Sequence, residues 1–258
     1  MLGLGGLLWL AATALVALVF TSPDELLADD LIPDETIVVI LLLPLSVFAY
    51  RRYSMVHHRL RAAEITAEQF PDLHSMLLRA CATAGLHTPP SAFISLEVPV
   101  EPCRTDHAKR NDLLIGTDFY AGCRENDQPA AMEFMVAHEL GHHLARHGSF
   151  GRQLLSALIT PIPGIGRLLT RAQEYTADRF AHLHCPQGGP AALALTMSGK
   201  DNFVYVLPDK LVEDAQSGHG FYLWLNNALD GVPMPSWRAH ALADDSDPGR
   251  LLWHPRGG

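Results

Sequence analysis

The first fifty residues contain no lysine, arginine or histidine. All nineteen lysines and arginines lie at or beyond Arg51, while six acids fall between positions 24 and 35. The formal net charge is −9. A general nucleic-acid binder needs a basic face, so that class is excluded. Cysteine is scarce as well. The four present (Cys81, Cys103, Cys123, Cys185) form no CxxC pair, which excludes a disulfide-stapled mini-domain and argues against a thiolate zinc site. Charged residues make up 18% of the chain, below the roughly 25% of soluble domains. The 48% hydrophobic content excludes a disordered chain. No internal repeat or low-complexity tract is present. The length of 258 residues allows one ordinary domain with something added, or two small ones. The mean hydropathy of +0.09 raises the question of membrane segments.

Two apolar runs answer it. Residues 2–20 are nineteen positions without a charge. At about 1.5 Å per residue they reach roughly 28 Å, close to a bilayer core. No basic segment precedes them and no clear small-residue cleavage site comes after, so a retained transmembrane helix is expected. Residues 36–50 form a second run containing Pro44. Tyr50 and Tyr53 suit an interface and Arg51 and Arg52 can snorkel, so a second span is expected there. The acidic segment 21–35 then lies outside. Arg51, Arg52, Arg59 and Arg61 place the rest of the chain in the cytoplasm by the positive-inside rule.

The remainder reads as a mainly helical α+β domain. Residues 54–69 look like a polar helical connector. Leu73, Met76, Leu77 and Ala80 recur at helical spacing, with a stop near Gly85 and Pro89-Pro90. Residues 92–100 and 112–116 read as short strands. The clearest helix covers 126–148, with Asp127 as its cap, Pro129 in its first turn and Gly148 at its end. Another is expected over 170–184, capped by Thr170 and stopped by Cys185-Pro186 and Gly188-Gly189. Residues 153–169 are apolar but broken by Pro161, Pro163, Gly164 and Gly166, which suits a core or loop better than a span.

The helix over 126–148 carries His138-Glu139-Leu140-Gly141-His142, an HExxH motif. Histidines at i and i+4 stand one turn apart on one helix face, so both imidazoles can reach one Zn²⁺. Glu139 lies beside the first ligand and can take a proton from the water the zinc would hold. A catalytic zinc keeps three protein ligands and one open position. Glu174, in Glu174-Tyr175-Thr176-Ala177-Asp178, is the candidate third ligand. Asp178, one turn on, can orient a ligand histidine by accepting its other ring N–H. A competing use of Glu174 and Asp178 is helix-surface pairing with Arg171 and Arg179. His143 and His147 extend the same helix, and His147 falls five residues past His142, off the ligand face. His182, His184 and Cys185 are ligand types that follow a helix end without a matching partner pair.

Two N-terminal apolar segments, then HELGHHLARH, then EYTADRFA, resemble the HtpX-like membrane zinc metalloproteases. These are gluzincins in the same peptidase family as the CAAX prenyl endoproteases. The resemblance is strongest over residues 131–181. It implies one Zn²⁺ per chain on His138, His142 and Glu174, with Glu139 as general base and Asp178 behind the ligands. It implies a zincin-type domain whose small β-sheet offers an edge strand to extended substrate, and it gives His147 a structural role. Where such proteins have an Asn-Ala-Phe type segment, this chain has Glu101-Pro102-Cys103-Arg104-Thr105-Asp106. Where they have His-Pro followed by Arg, it has Pro235-Ser236-Trp237-Arg238-Ala239-His240. Arg238 and His240 are the candidates for groups near the developing oxyanion. The expected organisation is a membrane anchor over 1–50, a juxtamembrane connector over 51–70 and a zinc metallopeptidase domain over 71–258. The expected function is a membrane-bound endopeptidase acting on membrane or misfolded proteins, with a protein or peptide substrate and the bilayer as partners. The expected location is the inner or plasma membrane, with the site in the cytoplasm. The alternative is a membrane-anchored zinc scaffold without turnover. Main-chain hydrogen bonds from residues 112–116 to the substrate are a further expectation.

Overall fold

The computed structural model describes residues 34–96, 103–106, 112–159, 166–217 and 220–251. The expected first span, 2–20, and most of the acidic segment lie outside the described residues. Helix α1 (Asp34–Arg61) contains the apolar run 36–50, with Pro44 inside it. Fifteen apolar residues at about 1.5 Å each reach roughly 22 Å, short of a bilayer core of about 30 Å. Among the described residues no helix is long and apolar enough to cross a membrane, so the expected second span is corrected.

Helix α1 is tied to the domain instead. Leu43 and Val47 are buried and pack with Leu154 of α5 (Phe150–Ile159). Arg59 donates twice to Asp112, at 2.6 and 2.9 Å. The connector turns after Arg61 into a two-residue strand, β1 (Ala63–Glu64), so its second half is not helical.

Helix α2 (Pro71–Thr83) buries Leu73, Leu77, Ala80 and Cys81, close to the predicted stripe. Strands β2 (Ala92–Ser95), β3 (Cys103–Asp106) and β4 (Asp112–Gly116) complete a sheet of order β1-β2-β4-β3. β2 and β4 run parallel, while β3 pairs antiparallel with β4. All five residues of β4 are buried. That accounts for its unbroken Leu113-Leu114-Ile115 run, the pattern of a strand covered on both faces. It also corrects one expectation. β4 is flanked by β2 and β3, so its main chain has no edge left for a substrate. The outer strand on that side is β3.

Helix α3 (Thr117–Glu125) leads to α4 (Pro129–Leu144), the centre of the core. Ala131, Phe134 and Leu140 are fully buried there. Pro129 opens α4 as predicted, since its missing N–H leaves nothing unsatisfied in a first turn. Asp127 does not cap it. That residue sits at φ 51, in the left-handed turn before the helix. Against α4 pack α2, α6 (Gly166–His184) and α7 (Gly188–Asn202). α6 begins one turn before Thr170, which is therefore inside it. Helices α8 (Pro208–Ser217), α9 (Phe221–Leu229) and α10 (Pro235–Ala243) come next, and α10 packs on α6, α7 and α8.

Candidate metal centre

The site forms where α4 crosses α6. Gly141, inside the HExxH motif, makes the crossing close. A β-carbon there would stand 3.1 Å from the Phe180 β-carbon and 3.2 Å from the Ala177 α-carbon. Such contacts are tighter than ordinary packing, so a residue without a side chain brings the two backbones together. Glu174, Ala177, Asp178 and Ala181 lie along the facing side of α6, at the helical spacing of three and four residues. Ala177 and Ala181 are fully buried.

Three ligand-type side chains converge. His142 Nε2 is 3.1 Å from His138 Nε2. Glu174 places one oxygen 3.5 Å from His138 Nε2 and the other 3.4 Å from His142 Nε2. In a tetrahedral site with ligands at about 2.0–2.1 Å from zinc, neighbouring ligand atoms stand about 3.3–3.4 Å apart. Each observed separation lies near that value, the two Glu174 distances being to its two different oxygens. These three residues form a group whose ligand atoms all lie within 4.8 Å of one another. The donor set, two imidazoles and a carboxylate, is one that zinc accepts.

The surroundings favour a cation. Burial disfavours a charged His138, but the carboxylates of Asp178 and Glu174 outweigh it and raise its pKa to about 10. Burial alone would raise Glu174, yet the hydrogen bonds from His138 and His142 hold it well below the usual carboxylate range. Two carboxylates around one imidazole attract positive charge, whether proton or metal.

Asp178 Oδ1 lies 2.9 Å from His138 Nδ1, the nitrogen turned away from the other ligands. The contact is close, although the ring N–H is not aligned with it as a hydrogen bond. Asp178 is held in turn by Arg238 of α10. The guanidinium donates from Nε at 2.7 Å and from its terminal nitrogen at 2.6 Å, a bidentate pair. Burial pushes the Asp178 pKa up, but Arg238 beside it wins and holds it at about 2. Arg238 also approaches Glu174 Oε2, at 3.8 Å. Glu139, next to His138 on α4, is buried as well.

Of the other sequence candidates, His240 does not join this set: its Nδ1 is 3.3 Å from Asp247. Arg171 and Arg179 do not pair with Glu174 and Asp178. Arg171 is fully buried and donates to the carbonyls of Asp230 and Leu251. Arg179 donates to the carbonyls of Ala241, Asp244 and Asp247 and to the Asp245 carboxylate. Among the outlying histidines, His182 is 3.5 Å from Asp245 and the His184 ring meets the Phe180 carbonyl at 2.8 Å. The Cys185 thiol reaches the Ala130 carbonyl.

One member of the site escapes the helical spacing. His147 Nδ1 lies 2.8 Å from His142 Nδ1. Residue i+5 would stand off the ligand face of a continued helix, but the helix stops at Leu144. Arg146 takes φ 53, its N–H bonds to the His143 carbonyl, and the His147 N–H bonds to the His142 carbonyl. These two bonds form a Schellman turn, which folds the chain back over the last helical turn. The usual signal is glycine at the left-handed position, and this chain has arginine there.

No family model matches the chain, and no solved structure matches it. The chain spans just under two thirds of the length of the curated relative it matches. It is similar to the protein named Protease HtpX homolog 1 of Streptomyces coelicolor, at 25% identity over 201 residues, with 63% of this chain and 64% of that protein covered.

Proposed function

We propose that the chain is a zinc-dependent endopeptidase that hydrolyses peptide bonds in membrane or misfolded proteins. The observation that carries this reading is the set of 3.1–3.5 Å separations between His138, His142 and Glu174. The distant likeness to a protein named as a protease supports it.

His138, His142 and Glu174 would hold the metal, leaving the fourth position open. Bound there, Zn²⁺ supplies Lewis acidity, polarising a carbonyl oxygen and lowering the pKa of water toward about 7. Glu139 does not belong to the ligand set. Its carboxylate accepts the proton of the attacking water and returns it to the leaving amine, which would otherwise depart as an unstable anion. Asp178, clamped by Arg238, fixes the His138 ring from behind. This makes Arg238 a positioning residue, its guanidinium committed to Asp178. β3, which runs beside α4 at the rim of the sheet, is the strand to which an extended peptide would add. The uncharged run 2–20 is the proposed membrane anchor.

The test is cleavage of casein by purified full-length protein. A zinc chelator is expected to abolish cleavage and added Zn²⁺ to restore it. Protein that holds zinc and cleaves no substrate would favour the scaffold reading, and cleavage indifferent to the chelator would sink the metal mechanism.

A further inference from the structure

We infer that His147 is the positioning group for the metal ligand His142, accepting a hydrogen bond at its Nδ1 and so fixing which nitrogen of His142 faces the cation. The inference rests on the metal reading given above and deepens it.

The direction of the bond follows from the geometry. Two ring nitrogens 2.8 Å apart share one proton, which one ring carries and the other receives. Nε2 is the atom of His142 that points at His138 and Glu174. To bind a metal it must be bare, so the His142 proton sits on Nδ1. His147 Nδ1 is then the acceptor, and His147 carries its own proton on Nε2. The two rings are inclined by 70°, which makes the contact nitrogen to nitrogen and not face to face.

The backbone is strained at this contact. Arg146 occupies a left-handed conformation that L-residues disfavour, and the turn it makes is what carries His147 back onto His142. His147 is itself buried. The two ligand histidines are therefore supported differently. His138 has the Asp178 carboxylate behind it, whereas His142 has a second imidazole, in place of the usual carboxylate, carbonyl or water. An uncharged acceptor orients the ligand without adding negative charge behind it, which would leave the metal the stronger Lewis acid.

Three proteins test this: wild type, His147→Phe and His147→Asn. Phenylalanine keeps a ring in the space but cannot accept, while the asparagine oxygen can. The readouts are Zn²⁺ affinity by chelator competition at fixed pH, the visible spectrum of the Co²⁺-loaded proteins, and folded content by circular dichroism. His147→Phe is expected to lose about 10–100-fold in metal affinity and to shift the Co²⁺ bands, with His147→Asn recovering most of both. Wild-type affinity and an unchanged Co²⁺ spectrum in His147→Phe would overturn the inference alone. Wild-type protein that takes up no zinc would overturn the metal reading and this inference with it. Should His147→Phe not fold, nitrogen NMR of zinc-loaded wild type decides. A proton on His142 Nδ1, hydrogen-bonded to a second imidazole nitrogen, supports the assignment, and a bare Nδ1 contradicts it.

Discussion

Glu139→Gln protein is expected to bind zinc as wild type does and to lose about 10²–10⁴-fold in the rate of casein cleavage. The substitution changes one oxygen to an amide nitrogen and keeps the volume. It leaves His138, His142 and Glu174 untouched, and these are the residues whose ligand atoms converge within 4.8 Å. An amide cannot take up a proton at neutral pH, so the attacking water keeps both of its own and is a poor nucleophile. The two measurements separate roles. Lost activity with retained zinc identifies a proton carrier, whereas lost zinc would make Glu139 part of the ligand set. Full activity with retained zinc would remove it from the mechanism.

Arg238→Met is expected to destabilise the fold more than any surface change. Arg238 and Asp178 are both almost fully buried and joined by two short hydrogen bonds. Removing one partner strands a buried carboxylate, which costs about 3–5 kcal/mol. For a chain of this size each kcal/mol lowers Tm by about 2–4 °C, so a fall of roughly 6–20 °C is expected. Calorimetry of the two proteins measures it. The double variant Arg238→Met, Asp178→Asn should recover part of the loss, because no charge is then left uncompensated. The pH dependence has a definite sign. Asp178 is held at about 2, below its ordinary value. The stability this contributes is fully present above the unfolded value of about 4 and is lost as pH falls through about 2. In Arg238→Met the carboxylate loses its strongest stabilising partner and is held down less, so acid unfolding should begin at higher pH. A Tm within about 2 °C of wild type, the effect of less than one kcal/mol, would show the pair to be replaceable.

Part of this site is legible in the sequence, and physical reasons hide the rest. The HExxH spacing places His138 and His142 on one face because both fall within a single regular helix. Glu174 and Asp178 are legible for the same reason, one turn apart on α6. Arg238 stands out as a candidate, but its contact with Asp178 joins residues sixty positions apart, and no local pattern encodes that. The resemblance gives His147 a structural role, but its contact with His142 is hidden: helical periodicity carried past Leu144 puts it off the ligand face, and arginine gives no sign of the left-handed turn at 146. The strand at residues 112–116 is legible, but its place between β2 and β3 depends on tertiary pairing. The run at 36–50 has the composition of a span without the length, and its packing on α5 is what the structure adds.

Metal analysis of purified wild type beside Glu174→Ala tests the central claim most directly. One zinc per chain is expected in wild type, because the ligand atoms of three residues that zinc accepts already lie within 4.8 Å of one another. Glu174→Ala, with two imidazoles left, is expected to lose most of it on dialysis. Equal zinc in the two proteins would contradict the assignment of Glu174 as the third ligand, and no zinc in wild type would contradict the metal centre itself.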